Sequence, residues 1–340
     1  MGKIVTFGEI MLRLKSPGSG RHFQRPELEA TFGGGEANVA VSLSLLGADA
    51  AYVTALPENP IGNAALRELA RYGVDVSRVI RKKGRVGVYY LENGADQRAS
   101  TVTYDRDGSS IALSAPGDFN WQEIFKGARW FHVSGITPAL SQGCADLTLE
   151  AARAARDLHL PVSVDLNYRK KLWNYGKRPP EIMRPLASLA DVLVANEEDI
   201  QNCLGIEGDG IDVASGSLDP AAYGTLLDRV RSEFPSVTRI AVTLRESLSA
   251  DRNGWSAIMA TGSGLLASRK YSISDIVDRV GGGDAFSAGL IFALLERPGD
   301  DRSALEFATA ASCLKHTVSG DFNLVSKDEI ESLLKGDASG

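Results

Sequence analysis

Short apolar blocks separated by polar turns recur along the whole chain, and their lengths set the first expectations. Lys3–Phe7 reads as a strand, and the Ala-, Val- and Leu-rich stretch Asn38–Leu46 as a buried helix that Gly47 ends in a left-handed conformation. A second strand over Ala50–Leu56 and a helix over Asn59–Tyr72, stopped at Gly73, repeat the alternation. Beyond Trp121 the same rhythm returns. Arg129–Val133, Val162–Asp165, Val192–Ala195 and Arg239–Thr243 are strongly apolar strands, with helices over Ser141–Leu158 and Pro220–Phe234. Apolar strands without strict alternation need cover on both faces, which predicts an α/β class with a mostly parallel central sheet.

Between these regions the pattern changes. Arg85–Leu91 and Ser100–Tyr104 read as strands with no helix between them, and Asn93-Gly94 and Asp107-Gly108 supply turns. These hairpin signals predict a small β lid outside the main body, joined by the segment from Met11 to Phe32. The predicted body is 1–10, 33–84 and 116–335, and the predicted lid is 11–32 and 85–115. After Thr243, Arg252–Trp255 reads as a turn entering a strand and Gly262–Gly264 as a further turn. Residues 336–340, Gly-Asp-Ala-Ser-Gly, are expected to form a flexible tail.

The chain has 340 residues, 44% of them hydrophobic and 24% charged, an ordinary balance for a globular protein. A net charge of −6 with no dominant basic run argues against nucleic acid or an anionic membrane as partner, while leaving room for a small anionic ligand. Neither a secretory signal nor an apolar run long enough to span a membrane is expected. Cys144, Cys203 and Cys313 are isolated and odd in number, so a reducing cytoplasm is the expected location.

Candidate chemistry concentrates where Gly281, Gly282 and Gly283 precede Asp284 and an apolar helical run. A helix start carries unpaired N–H groups and the positive end of the helix dipole. Glycines there let phosphate oxygens approach the main chain. Asp284 would repel phosphate, but it suits a group that positions and deprotonates an attacking hydroxyl. The same residues also read as a turn and a helix cap. The stretch lacks the Lys-Ser/Thr of a Walker loop and the spacing of a dinucleotide fingerprint. A second cluster, Gly33-Gly-Gly-Glu-Ala-Asn38, also leads into a helix, and reads either as a backbone approach for a polyhydroxylated ligand or as a tight junction between lid and body. Ligands of parallel sheets gather at strand carboxyl ends, which singles out Asp165, Asn167, Arg169, Asn196 and Thr243.

The two glycine motifs, Gly33–Asn38 and Asp278–Asp284, resemble those of the ribokinase-like (PfkB) carbohydrate kinases. More narrowly, Phe7–Arg13, Tyr104-Asp-Arg106, Asp165–Arg169 with Leu172-Trp173, Ala195–Asp199 and Ala311–His316 resemble the 2-keto-3-deoxygluconate kinases, or 2-dehydro-3-deoxygluconokinases. The resemblance covers nearly all the chain. It implies a ribokinase-like fold and ATP-dependent, magnesium-assisted phosphorylation of a sugar acid's terminal hydroxyl, with Asp284 as base and Gly281–Gly283 as the anion cradle. It implies contacts to the sugar from Gly34, Tyr89, Tyr104, Arg106 and Arg169; Asn38 is expected to hydrogen-bond the same ligand, and Asp165 and Asn167 to orient Arg169 or help position phosphate and substrate. Arginine forks suit a substrate carboxylate in any case.

On the nucleotide side the resemblance implies Asn196, Thr243, Arg245, Gly281 and Gly283, with Asn196 and Asp199 acting indirectly on magnesium. Asp199 stands where the broad family has glutamate, Gly282 where alanine is commoner, Arg279 where threonine is common and Arg245 where glycine is common. The resemblance also implies a homo-oligomer formed through the lid.

Overall fold

The fold is described from a computed structural model, for residues 2–196, 198–208 and 220–336. The expected tail lies, past Gly336, outside the described residues, as does Glu197. The chain opens with strands β1 (Lys3–Phe7), β2 (Met11–Lys15) and β3 (Glu29–Gly33), then helix α1 (Gly35–Leu45). Strands β4 (Ala50–Val53) and β5 (Ala55–Leu56), helix α2 (Pro60–Arg71), and strands β6 (Ile80–Arg81), β7 (Gly87–Glu92) and β8 (Thr101–Asp105) follow. Next come α3 (Trp121–Ile124), β9 (Ala128–Ser134), α4 (Gln142–Asp157), β10 (Val162–Asp165), α5 (Pro179–Ala187), β11 (Val192–Ala195) and α6 (Pro220–Glu233). The last part contributes β12 (Arg239–Ser247), β13 (Asn253–Thr261), β14 (Gly264–Ala267), β15 (Tyr271–Ile273), α7 (Gly282–Glu296), α8 (Asp301–Lys315) and α9 (Lys327–Lys335).

The large sheet runs β14-β13-β12-β11-β10-β9-β1-β4, with β15 also paired to β13. From β12 to β4 neighbouring strands are parallel, and β13 to β15 add an antiparallel edge. Both faces are covered, and the two-residue period of a strand divides the side chains between them. Val5, Phe7, Leu193, Ile240 and Val242 enter one apolar layer. Ile4, Val192, Val194, Ala241 and Met259 enter the other, beneath α1, α7 and α8. Helix starts follow their local chemistry: Ser141 accepts from the Cys144 N–H to cap α4, and Asn59 accepts from the Gly62 N–H to cap α2.

The second sheet has the order β3-β2-β7-β8, so β2 and β3 lie beside the two strands of the hairpin region in one small separate sheet. Besides shifts at element ends, such as α1 beginning at Gly35 rather than Asn38, two expected strands differ from the observed ones. The strand expected over Ala50–Leu56 divides, because β4 stays on β1 while β5 turns away to pair with β6. The strand expected to end at Thr243 continues to Ser247, since β13 pairs with it antiparallel through Ser247↔Asn253. That extension carries Arg245 with it.

Candidate active site

A cleft of about 440 Å³ opens between the carboxyl ends of β9 to β12, the glycine segments leading into α1 and α7, and the underside of the small sheet. Tyr89 and Tyr104 line it from the small sheet; Gly34 and Asn38 from the α1 start; Asp165, Asn167 and Arg169 from the end of β10. Asn196 and Asp199 follow β11, Thr243 and Arg245 lie on β12, and Gly281, Gly282, Gly283 and Asp284 open α7. Residues scattered over most of the sequence thus converge on one space.

Asp284 does not cap its helix. Gly281 occupies the cap position of α7 in a left-handed conformation, φ 85°, with no side chain accepting from the first turn. A β-carbon on Gly281 would stand 2.1 Å from the Asp321 carbonyl oxygen, so close backbone approach adds to the conformational demand for glycine. A β-carbon on Gly283 would meet no atom within 4 Å and would stand in the open cleft. The helix start therefore faces the cleft with its main chain bare.

The Asp284 carboxylate lies half-buried beside this start and accepts a hydrogen bond from Asn38 Nδ2 at 2.7 Å. Burial is the largest influence on it and raises its pKa to about 7. Asp321 and Glu36 add to the rise, while Asn38 and the Arg169 charge oppose it. A carboxyl poised near neutrality fits proton transfer.

Asn38, expected to hydrogen-bond a sugar, lines the cleft, and its amide also makes bonds within the protein. Its Oδ1 accepts from the Gly34 N–H at 3.1 Å while Nδ2 holds Asp284. The residue joins the two glycine motifs and orients the carboxylate. Glu36 neither lines the cleft nor caps α1. It is buried and accepts from the Ser134 N–H at 2.9 Å, Ser134 Oγ at 2.7 Å and Thr137 Oγ1 at 3.0 Å. A β-carbon on Gly34 would stand 2.0 Å from the Glu9 carbonyl oxygen. Gly34→Ala is therefore expected to shift the α1 start and cost about 1–3 kcal/mol, as overpacking does, measurable by urea unfolding.

Arg106 departs from expectation. Its guanidinium is buried and lies outside the cleft lining. Nε donates to Glu9 Oε2 at 2.7 Å and Nη2 donates to the same oxygen, while the cation stands 5.4 Å from the Tyr104 ring centroid. Glu9, to which the sequence assigned no chemistry, follows β1 into the interior, and a buried carboxylate there requires a paired cation. Arg106 meets that requirement rather than presenting its fork to the cleft. It borders instead a smaller cavity of about 260 Å³ with Tyr104, Lys171 and Leu172.

Arg169 does face the cleft, held by a bond from Nη1 to the Tyr168 carbonyl at 2.9 Å. Asn167 turns the chain there with φ 37°, a left-handed value that asparagine tolerates better than most residues. Asp165 is buried and its pKa rises well above the carboxylate range, through burial first and then the charges of Asp199 and Asp284. Asn196 Oδ1 accepts from the Glu198 and Asp199 N–H groups at 2.8 and 3.1 Å. Asp199 accepts from the Tyr168 and Asn196 N–H groups, both at 2.9 Å. Both side chains thus shape their turn as well as lining the cleft.

Sequence reasoning missed a buried cluster at the sheet junction. Arg13 of β2 donates to Asp321 Oδ1 at 2.7 Å and also pairs with Asp278, and Tyr89 Oη donates to Asp321 at 2.5 Å. Asp321 itself lines the cleft. Its one local signal is the Gly320-Asp321 turn after α8, which says nothing of a partner some 300 residues earlier. In β7 Tyr89 is buried, and its neighbour Tyr90 points to the opposite side.

Known proteins resemble the chain over nearly its whole length. The sequence profile of pfkB family carbohydrate kinases matches residues 1–221. A 2-dehydro-3-deoxygalactonokinase from Haloferax volcanii is 33% identical over 341 residues, covering 99% of this chain and 98% of its own length. A 2-dehydro-3-deoxygluconokinase from Bacillus subtilis is 27% identical, covering 97% of this chain and 94% of its own. The crystal structure of 2-dehydro-3-deoxygluconokinase from Thermotoga maritima superposes with a TM-score of 0.93 at 44% identity, covering 99% of this chain and all of that one. With its ribokinase-like α/β fold, its small separate sheet and these relatives, the chain belongs to the pfkB family of carbohydrate kinases, enzymes that transfer a phosphoryl group to a sugar.

Proposed function

We propose that the protein transfers the γ-phosphoryl group of ATP to the terminal C6 hydroxyl of 2-keto-3-deoxy-D-gluconate, giving 2-keto-3-deoxy-6-phosphogluconate and ADP. One observation carries the reading: a carboxyl with a pKa of about 7 lies beside a bare, glycine-built helix start in the main cleft. Asp284 takes the hydroxyl proton as the oxygen attacks phosphorus, with Asn38 fixing which carboxylate oxygen is presented. The N–H groups at Gly281–Gly283 receive the charge that develops on the phosphoryl oxygens. Arg169 pairs with the sugar carboxylate, offsetting its desolvation. Tyr89 and Tyr104 close the sugar side, and the small sheet keeps water from the reacting atoms.

Magnesium, when bound, neutralises phosphate charge during transfer. The donor set fits an ion carried mainly on the nucleotide's phosphates: no cage of three His, Cys, Asp or Glu side chains exists among the described residues. Asn196 and Asp199 would then act on it indirectly, beside Thr243 and Arg245 on the nucleotide side.

Gly283→Ala supplies a separate check on the cradle. Its β-carbon meets nothing in the protein, so the variant is expected to fold as the unaltered chain does. The added methyl stands where an anion would approach, and KM for ATP is expected to rise about tenfold, equivalent to ~1.4 kcal/mol. The pH profile supplies another. Only unprotonated Asp284 accepts a proton, so kcat/KM should rise with pH and reach half its plateau near 7. An acid limb centred below 5 would contradict the assignment.

The Haloferax relative supports a second reading, in which the galactonate epimer is the preferred acceptor. Steady-state assays with both keto-deoxy acids and with neutral fructose, using magnesium and ATP, separate these readings. Both acids are expected to outperform fructose. Arg169→Ala should raise KM for the acid by roughly 10- to 100-fold, the loss of a charge-assisted hydrogen bond, with little change for fructose. Preference for fructose in the unaltered enzyme would contradict the carboxylate reading.

The exposed edge strands β3 and β8 support assembly into a homo-oligomer through the lid, whose discontinuous extent we take as 11–32 and 85–115. A cytoplasmic location accords with three unpaired cysteines. No described helix is long and apolar enough to cross a membrane.

A further inference from the structure

Lys315, the last residue of α8, has no solvent exposure and makes no ion pair among the described residues. An ammonium removed from water usually takes a carboxylate partner. Here Nζ donates to two main-chain carbonyls instead, Val318 at 3.0 Å and Asp278 at 3.4 Å. The Asp278 carboxylate is engaged elsewhere. It pairs with Arg13 and accepts from the Val280 and Gly320 N–H groups at 3.1 Å each.

The place of this charge matters more than its partners. A β-carbon on Gly281 would lie 3.3 Å from Lys315 Cε, so the lysine stem runs directly behind the glycine that opens α7. The cleft lies in front of the same glycine. Gly281, a residue without a side chain, thus borders the cleft on one side and the lysine stem and the Asp321 main chain on the other. In a water-poor interior such a charge acts more strongly than it would at the surface.

We propose that Lys315 is a positioning residue for phosphoryl transfer: its ammonium braces the segment 278–283 from behind and lends positive charge to the glycine cradle. The inference rests on the phosphotransfer reading above. It also accounts for a buried amine bonded only to main-chain oxygens, which the direct chemistry of Asp284 and Arg169 leaves unused. A purely structural lysine, balancing Asp278 and Asp321, would cost stability when replaced and leave anion affinity unchanged.

The test uses inorganic tripolyphosphate binding by calorimetry alongside ATP-dependent phosphorylation of 2-keto-3-deoxygluconate. Lys315→Met keeps the length and removes the charge. It is expected to bind tripolyphosphate at least tenfold more weakly, and to lose at least tenfold in kcat with KM for the sugar acid unchanged. Lys315→Ala, which also opens a space, should regain binding and turnover with propylammonium and not with propanol, which fills the space without charge. Either variant binding tripolyphosphate within twofold of the unaltered chain would overturn the inference, as would restoration by propanol. If Lys315→Met does not fold, the alanine variant held folded by propanol decides in the same way. Failure of the unaltered chain to phosphorylate any sugar acid would instead overturn the kinase reading, and this inference with it.

Discussion

Asp284→Asn is expected to fold, to bind ATP and the sugar acid, and to lose roughly 10²- to 10⁴-fold in kcat, the range for removing a general base. The substitution keeps the size and leaves an amide oxygen able to accept from Asn38 Nδ2, so the helix start should hold its shape. What it removes is the basic site. Because Gly281 rather than Asp284 occupies the cap position of α7, a large loss of stability is not expected. Single-turnover kinetics together with calorimetric binding separate the two effects. A variant retaining the full transfer rate would remove Asp284 from the chemistry.

Arg13→Met is expected to destabilise the protein by about 3–5 kcal/mol, the range for breaking a buried ion pair from one side. Both Asp278 and Asp321 would be left in the interior without their guanidinium. Urea unfolding measures the loss. The same change should loosen the small sheet over the cleft, because Arg13 lies on β2 while both carboxylates belong to the body. A rise in KM for the sugar acid should therefore accompany the stability loss. A stability change below about 1 kcal/mol, the scale of an exposed pair, would contradict the account of this junction.

How much of this was legible in sequence depends on the reach of each interaction. The strands β1, β10 and β11 could be bounded correctly because each is a short apolar block closed by polar residues. The glycines of both motifs announced positions where a side chain would obstruct, and the structure places Gly34 and Gly281 against backbone at about 2 Å. Pairings across the fold were not legible. Glu9 and Arg106 are 97 residues apart, Asn38 and Asp284 are 246 apart, and Arg13 and Asp321 are 308 apart. No local pattern encodes which carboxylate will claim which arginine. Arg106 was read for a substrate because an arginine fork declares its chemistry and not its partner.

The split of the expected Ala50–Leu56 strand has a similar origin. Every residue from Ala50 to Leu56 is buried, so hydrophobicity alone gave no sign of the turn at Thr54. Pairing with β6 on one side and β1 on the other decides it.

The most direct test of the central claim is the identity and position of the phosphorylated product. Purified enzyme, magnesium, ATP and 2-keto-3-deoxy-D-gluconate would be followed by phosphorus NMR with carbon coupling. The account predicts ADP and one phosphomonoester on C6, in equal amounts. Release of inorganic phosphate without a sugar ester, or an ester at another carbon, would contradict it.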